Sequence, residues 1–299
     1  KEFDLGSKRL KKLEAWTIPS RRSVQELIDD EEYGKALIIA NLNVKKWPKN
    51  PDFLSDRGDV LLDLGRFREA IAEYKKALKL DPKDTTIIYG LVLACSESDD
   101  FEECIKWINK LPSDQISQDV LVMKADCLSQ LGKSKQSLEI FQNLWRDDPA
   151  NLDFMDSCVN ELIDLGRYKE AGKIVDRLIE LDPESVNNLN MKSDIALRTR
   201  KYKESIKFAQ KALKLVGDDE DYAVSWSNIA SVQFQQGDHK AALKSIEKSL
   251  KLDDTMGVTW LLSAFINRFL DNEEAFELDL SAGISRLDLY QLKDVIDIV

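Results

Sequence analysis

One histidine, His239, and four cysteines are all that 299 residues offer of the usual metal-binding side chains. The cysteines, Cys95, Cys104, Cys127 and Cys158, contain no CxxC pair, so a typical zinc site is short of ligands. They read instead as reduced core fillers of a cytoplasmic protein. No glycine-rich phosphate loop occurs, since the twelve glycines fall mainly at turns and helix crossings. No apolar run reaches the ~18 residues that a membrane span needs. The basic start, Lys1 to Leu13, lacks the apolar core of a signal peptide. Bases are also short, with 43 Lys and Arg against 54 Asp and Glu. The resulting net charge of -11 disfavours non-specific contact with nucleic acid. Paired carboxylates are abundant but read as solvated helix faces. The sequence therefore predicts no catalytic constellation, no metal and no cofactor, and the chain does not read as an enzyme.

What the chain does have is a pattern that returns about every 34 residues. Its clearest copy is Gly58, Leu64-Gly65-Arg66-Phe67, Ala70, Tyr74, Ala77 and Pro82. In register with it, copies begin at Pro51, Thr85, Gln118, Leu152, Val186, Ala223 and Gly257, with a weaker one near Thr17. Within the copy from Pro51 to Asp84, apolar spacing predicts a first helix over about Asp52 to Leu64 and a second over Phe67 to Leu80. Gly65 falls where a helix ends in a left-handed residue, and Asp81-Pro82 stops the second helix. Gly58, Ala70 and Ala77 are small, which lets helices approach closely. Four of the seven prolines, Pro48, Pro82, Pro149 and Pro183, share one phase of the period, which chance would rarely give. Units of this kind bury their apolar faces against neighbours rather than in one globular core.

The order small residue, Leu-Gly, aromatic, Ala, aromatic, Ala, Pro at this spacing resembles the tetratricopeptide repeat (TPR). The match is strong over Pro51–Asp84 and Leu152–Ser185, and good over Ala223–Met256, where Trp226 takes the early tryptophan position; Trp260 does so in the next unit. Thr85–Ser117 departs, with Ser98-Asp99 in place of Leu-Gly and an early Pro112. Val186–Asp219 has Thr199-Arg200 there, followed by an acidic insertion ending near Tyr222. The resemblance implies an all-α fold, an α-solenoid built as a right-handed TPR superhelix of seven to eight helix-turn-helix repeats. It also implies a concave face lined by first helices. Three segments are expected: residues 1–16 as a basic arm or a segment introduced by cloning, 17–283 as the TPR array, and 284–299 as a C-terminal capping helix. The last carries Leu289, Leu292, Val295, Ile296 and Val299 on one stripe. The missing initiator methionine, with Glu2-Phe3 and Gly6-Ser7, reads as a trimmed chain.

In that family the second, fifth, sixth, ninth, twelfth and thirteenth repeat positions face the groove, on one side of the first helix. Over the six units from Pro51 to Met256 these are 36 positions, of which eleven are acidic and one, Arg198, is basic. The candidate partner-binding residues are Asp52, Asp56, Asp59, Asp63, Asp119, Asp126, Asp153, Asp156, Asn160, Asp164, Asn190 and Asp194. Glu97 completes the acids. Capping and the helix dipole account for Asp52, Asp119 and Asp153. They do not account for Asp59, Asp63, Asp126, Asp164 or Asp194, which lie in helix interiors or near C-termini. Lysines and arginines sit mainly on second helices. His239 falls at the aromatic position of its repeat and reads as a packing residue.

The function expected is a protein-interaction scaffold or adaptor whose acidic groove takes a basic or amphipathic segment of a protein or peptide partner. One well-known subset of the family docks acidic chaperone tails with Lys and Asn at the fifth and ninth positions. Here those positions hold Ser55 and Asp59, then Tyr89 and Leu93, which disfavours that ligand. A recruiting module of a larger enzyme, or self-association of basic second-helix faces with acidic grooves, are the alternatives.

Overall fold

A computed structural model describes residues 21–215 and 219–286. Among the described residues there are sixteen α-helices, one short 3-10 turn and no strand. They form two compact units, divided between Leu131 and Gly132.

In the first unit, α1 (Arg21–Asp29) and α2 (Tyr33–Lys46) form a hairpin. It is followed by α3 (Pro51–Asp63) with α4 (Phe67–Leu80), by α5 (Thr85–Glu97) with α6 (Phe101–Ile108), and by α7 (Gln118–Gln130). The second unit holds α8 (Ser134–Asp147), α9 (Leu152–Asp164) with α10 (Tyr168–Leu181), and α11 (Val186–Arg198) with α12 (Tyr202–Ala212). Then come α13 (Asp219–Gln235) with α14 (His239–Leu252), and α15 (Gly257–Phe269) with α16 (Glu273–Arg286). Short connections make each pair antiparallel, and within a unit each helix packs on the next.

Local chemistry sets these boundaries. Asn50 accepts from the backbone N–H of Asp52 at 2.8 Å, with Pro51 as the first helical residue. Asp84, Ser117, Asn151 and Ser185 cap α5, α7, α9 and α11 in the same way. The caps are therefore the residues just before the helix; Asp52, Asp119 and Asp153 stand two places past the cap and contribute through the dipole. Between the two helices of each hairpin one residue adopts positive φ. Gly65, Gly132, Gly166 and Gly237 do so at φ 67–82°, and Glu31, Asp99, Arg200 and Asp271 take the same place at φ 57–60°. The turn is thus kept where Leu-Gly is lost, and a non-glycine residue bears the strain.

Two departures from the sequence reading follow. Helix α13 begins at Asp219, not Ala223, so the acidic insertion forms an extra first turn where Glu220 and Asp221 favour the dipole. The early Pro112 ends its repeat with an eight-residue α6 and a 3-10 turn over Ser113–Gln115. The arm over 1–16, the start near Thr17, and the stripe from Leu289 to Val299 lie outside the described residues. Ile284 closes α16.

The unit cores carry the repeat's small residues. Tyr74 of α4 is fully buried, and its ring occupies the space where a Cβ on Gly58 or Gly90 would sit, at 2.7 and 2.8 Å. Ala70 and Ala77 are 0% exposed beside it. The four cysteines are free and buried. His239 stacks on Phe269 at 4.9 Å between ring centroids and tilts against Phe234 at 5.3 Å. Among the described residues no helix is long and apolar enough to cross a membrane, and no group of three or more His, Cys, Asp or Glu is arranged to hold a metal.

Candidate interaction faces

In the first unit the groove positions of α3, α5 and α7 hold seven of the eleven acids and no base. Their surroundings differ. Asp56 is buried at 3% exposure. Asp59 accepts the Tyr74 hydroxyl at 2.7 Å. Burial together with the Asp59 carboxylate pushes that phenol far above its usual range. Asp59 therefore has a structural task, which the repeat register could not show. Asp63, Glu97, Asp119 and Asp126 are exposed, and none has an ion-pair or hydrogen-bond partner among the described residues. Partial desolvation raises Asp63 and Asp126 above the ordinary carboxylate range. Tyr89, 40% exposed, stands at the fifth position of α5 among them.

Basic groups of this unit are engaged elsewhere. Arg57 forks between Glu73, in a very short contact, and Asn41. Lys76 also holds Glu73, at 2.7 Å. Glu103 of α6 is bound by Lys106 at 2.7 Å, by the Trp107 indole N–H at 2.9 Å and by Lys75 at 3.0 Å. The Lys106 hydrogen bond, with those from Trp107 and Lys75, pulls this carboxyl down to about 2 against the cost of desolvation. Lys75, Lys76 and Lys106 sit on second helices, and Arg57 of α3 turns to Glu73 of α4; all of them bind second-helix acids and none pairs with Asp63, Glu97, Asp119 or Asp126.

The second unit is different. Asp194 is ion-paired to Arg198 one turn along α11, at 2.8 Å, although burial raises its pKa. Asp164 accepts from Ser134 at 3.3 Å, and Asp156 from the Asn187 amide at 3.3 Å. Asp156 is half-buried, and desolvation plus the neighbouring Asp153 lift it to about 6. Asn190 is 4% exposed: its amide donates to the Asp221 carbonyl at 2.9 Å and accepts from Ser225 at 2.6 Å. It joins α11 to α13 and does not meet solvent. Asp153 and Asn160 are exposed. The unit also contains a cavity of about 300 Å³, lined by Tyr168, Asp194, Arg198, Arg200, Tyr202 and Asn228 among others. Of the sequence-derived candidates only Asp194 reaches it. Arg200 was hidden because its turn position normally holds glycine, and the two tyrosines because they read as packing residues.

Both units are thus stacks of antiparallel helix pairs in which each helix packs on the next, which defines a helical-hairpin repeat protein. The Tetratricopeptide repeat profile matches residues 184–255 and the TPR repeat profile matches 58–94. No curated protein matches the sequence. Among solved structures, a tetratricopeptide repeat protein from Parabacteroides merdae is similar at 16% identity and TM-score 0.60, over 88% of this chain and 96% of that one. Yeast Tom70 is similar at 15% identity and TM-score 0.59, over 90% of this chain and 57% of its own. The APC/C hetero-tetramer Cut9–Hcn1 gives 12%, 0.54, 97% and 58%. The chain spans less than two thirds of the length of the latter two. The chain thus carries tetratricopeptide repeats over 58–94 and 184–255 and has the fold of tetratricopeptide repeat proteins.

Proposed function

We propose that the chain is a non-enzymatic protein-interaction scaffold, and that the first-helix face of its first unit receives a basic or amphipathic segment of a partner protein. The observation that carries this reading is the set of four exposed carboxylates, Asp63, Glu97, Asp119 and Asp126, without cationic partners among the described residues. Negative charge near a helix C-terminus, as at Asp63 and Glu97, opposes the macrodipole and is mildly destabilising. A docked lysine or arginine relieves that cost. Tyr89 adds an aromatic ring on which a guanidinium or an apolar side chain can rest. Asp52, Asp56 and Asp59 belong to the same face but support it more than they offer contact. In the second unit Asp153, Asp156, Asn160, Asp164 and Asp194 have partners or mixed surroundings, and they contribute less.

The test uses a fluorescent amphipathic peptide of alternating lysine and leucine, titrated by anisotropy into the full chain at low salt. Asp63→Asn, Glu97→Gln and Asp126→Asn combined should weaken binding about tenfold, as three exposed charges worth ~0.5 kcal/mol each would. Asp194→Asn should leave it within about twofold. Unchanged affinity in the triple variant refutes this face as the site.

A further inference from the structure

The cavity of about 300 Å³ in the second unit differs in charge from the acidic first-helix positions elsewhere. Four helices and one turn supply its walls. Tyr168 opens α10, Asp194 and Arg198 lie on α11, Arg200 is the turn residue, Tyr202 opens α12, and Ser231 lies on α13. Arg198 is held by Asp194 at 2.8 Å. Arg200 has no ion-pair or side-chain hydrogen-bond partner among the described residues, so the lining residues carry one positive charge in excess. The hydroxyls of Tyr168, Tyr202 and Ser231 also lack a hydrogen-bond partner among the described residues. Ser231 is only 6% exposed. A polar group placed that deeply is ordinarily satisfied, and this one lines the cavity instead.

We infer that this cavity binds a phosphorylated side chain of a partner protein, with Arg200 forking its oxygens and Tyr168, Tyr202 and Ser231 donating beside it. This goes beyond the first-unit reading and does not depend on it, since the residues differ and the ligand has the opposite charge. A phosphomonoester presents three strong acceptor oxygens. It therefore matches a guanidinium and three hydroxyls better than the two oxygens of a carboxylate do. The volume lies at the lower end of ligand pockets, about 300–1,000 Å³, and takes a whole side chain rather than a bare ion. Both tyrosines are first residues of helices, where the dipole favours negative charge.

The backbone points the same way. Arg200 holds φ 58° in the turn where other repeats use glycine. Asp99 and Asp271 are of the type that tolerates this conformation, whereas Arg200, like Glu31, is not. Strain of this kind gathers at ligand sites, and here it sets the one uncompensated cation at the cavity wall.

The test is a calorimetric titration of the full chain at about 150 mM salt, where long-range repulsion by the acidic surface is largely screened. The probes are one end-capped peptide of glycine and alanine carrying phosphoserine, phosphotyrosine, serine, tyrosine or glutamate at its centre. A phosphopeptide should bind about tenfold or more tightly than its unphosphorylated and glutamate counterparts. The tighter of the two names the carrier of the phosphoryl group. Arg200→Gly, which relieves the turn, should abolish the preference while helix content by circular dichroism stays the same. Asp194→Asn removes the one anion of the cavity and releases Arg198, so it should tighten binding severalfold, a gain that loss of structure does not produce. The inference is overturned if phosphorylation gives no gain over the hydroxyl, if the glutamate peptide binds as tightly, or if Arg200→Gly binds like the wild type.

Discussion

Asp156 shows how a single side chain can work against the fold. An exposed aspartate ionises near 3.8, while desolvation and Asp153 lift this one to about 6. Its folded pKa is raised, so the charged form destabilises the fold fully above about pH 6, and the penalty is gone below about pH 4. Asp156→Asn should therefore raise stability at pH 7.5 by about 1–2 kcal/mol, allowing for its partial exposure, and change little at pH 4. Urea denaturation at the two pH values checks this. Glu103 runs the other way. Its folded pKa is depressed to about 2, so its stabilising contribution is present above the unfolded carboxyl pKa and is lost as pH falls towards 2. Asn43 is a third case: it is fully buried, and its amide nitrogen and oxygen have no partner. It stands at the small-residue position that Ala77 fills one period later. Asn43→Ala removes an unsatisfied amide and should raise the urea midpoint by about 1 kcal/mol in stability.

At the scale of the element, the hairpin turn governs tolerance. Asp99, Arg200 and Asp271 hold positive φ in the place that glycine fills elsewhere. Glycine costs chain entropy but escapes the Cβ clash, and the latter costs about 1–2 kcal/mol per residue. Arg200→Gly should stabilise the second unit by about 0.5–1 kcal/mol, measured by thermal unfolding at fixed pH, and leave helix content by circular dichroism unchanged. The same element shows what was legible in the sequence. Helix starts at Pro51, Thr85, Gln118, Leu152, Val186 and Gly257 coincide with the repeat phase, because capping residues, apolar spacing and a turn residue recur together. The start at Asp219 was not legible, since an acidic insertion breaks the period and reads as loop. Tyr74 between Gly58 and Gly90 explains why those positions are small. Gly58→Ala would drive a Cβ into the ring and cost about 1–3 kcal/mol.

For the whole chain, repeat register identified which residues share the first-helix side, but not what each carboxylate touches. Asp59, Asp164 and Asp194 look alike in the sequence as acids at groove positions. In the structure they serve a tyrosine, a serine and an arginine. Partners come from helices about 15 to 30 residues away, or from one turn along, and spacing alone does not choose among them. Among the described residues, exposed first-helix carboxylates without a partner are therefore concentrated in the first unit. Binding of a basic segment there should weaken steeply as salt rises from 20 to about 300 mM, because exposed pairs are screened within about a Debye length. A flat salt response, measured by anisotropy, would point to apolar docking instead.

Trp107 gives α6 an optical signature. Its indole N–H donates to Glu103, and the Lys110 ammonium sits 3.5 Å from the ring centroid. A variant with phenylalanine at the other five tryptophans would carry one fluorophore, clamped between an anion of its own helix and a cation just past that helix's end. Its emission would shift whenever that clamp releases, so transient opening of this short segment becomes visible in a stopped-flow trace with no attached dye.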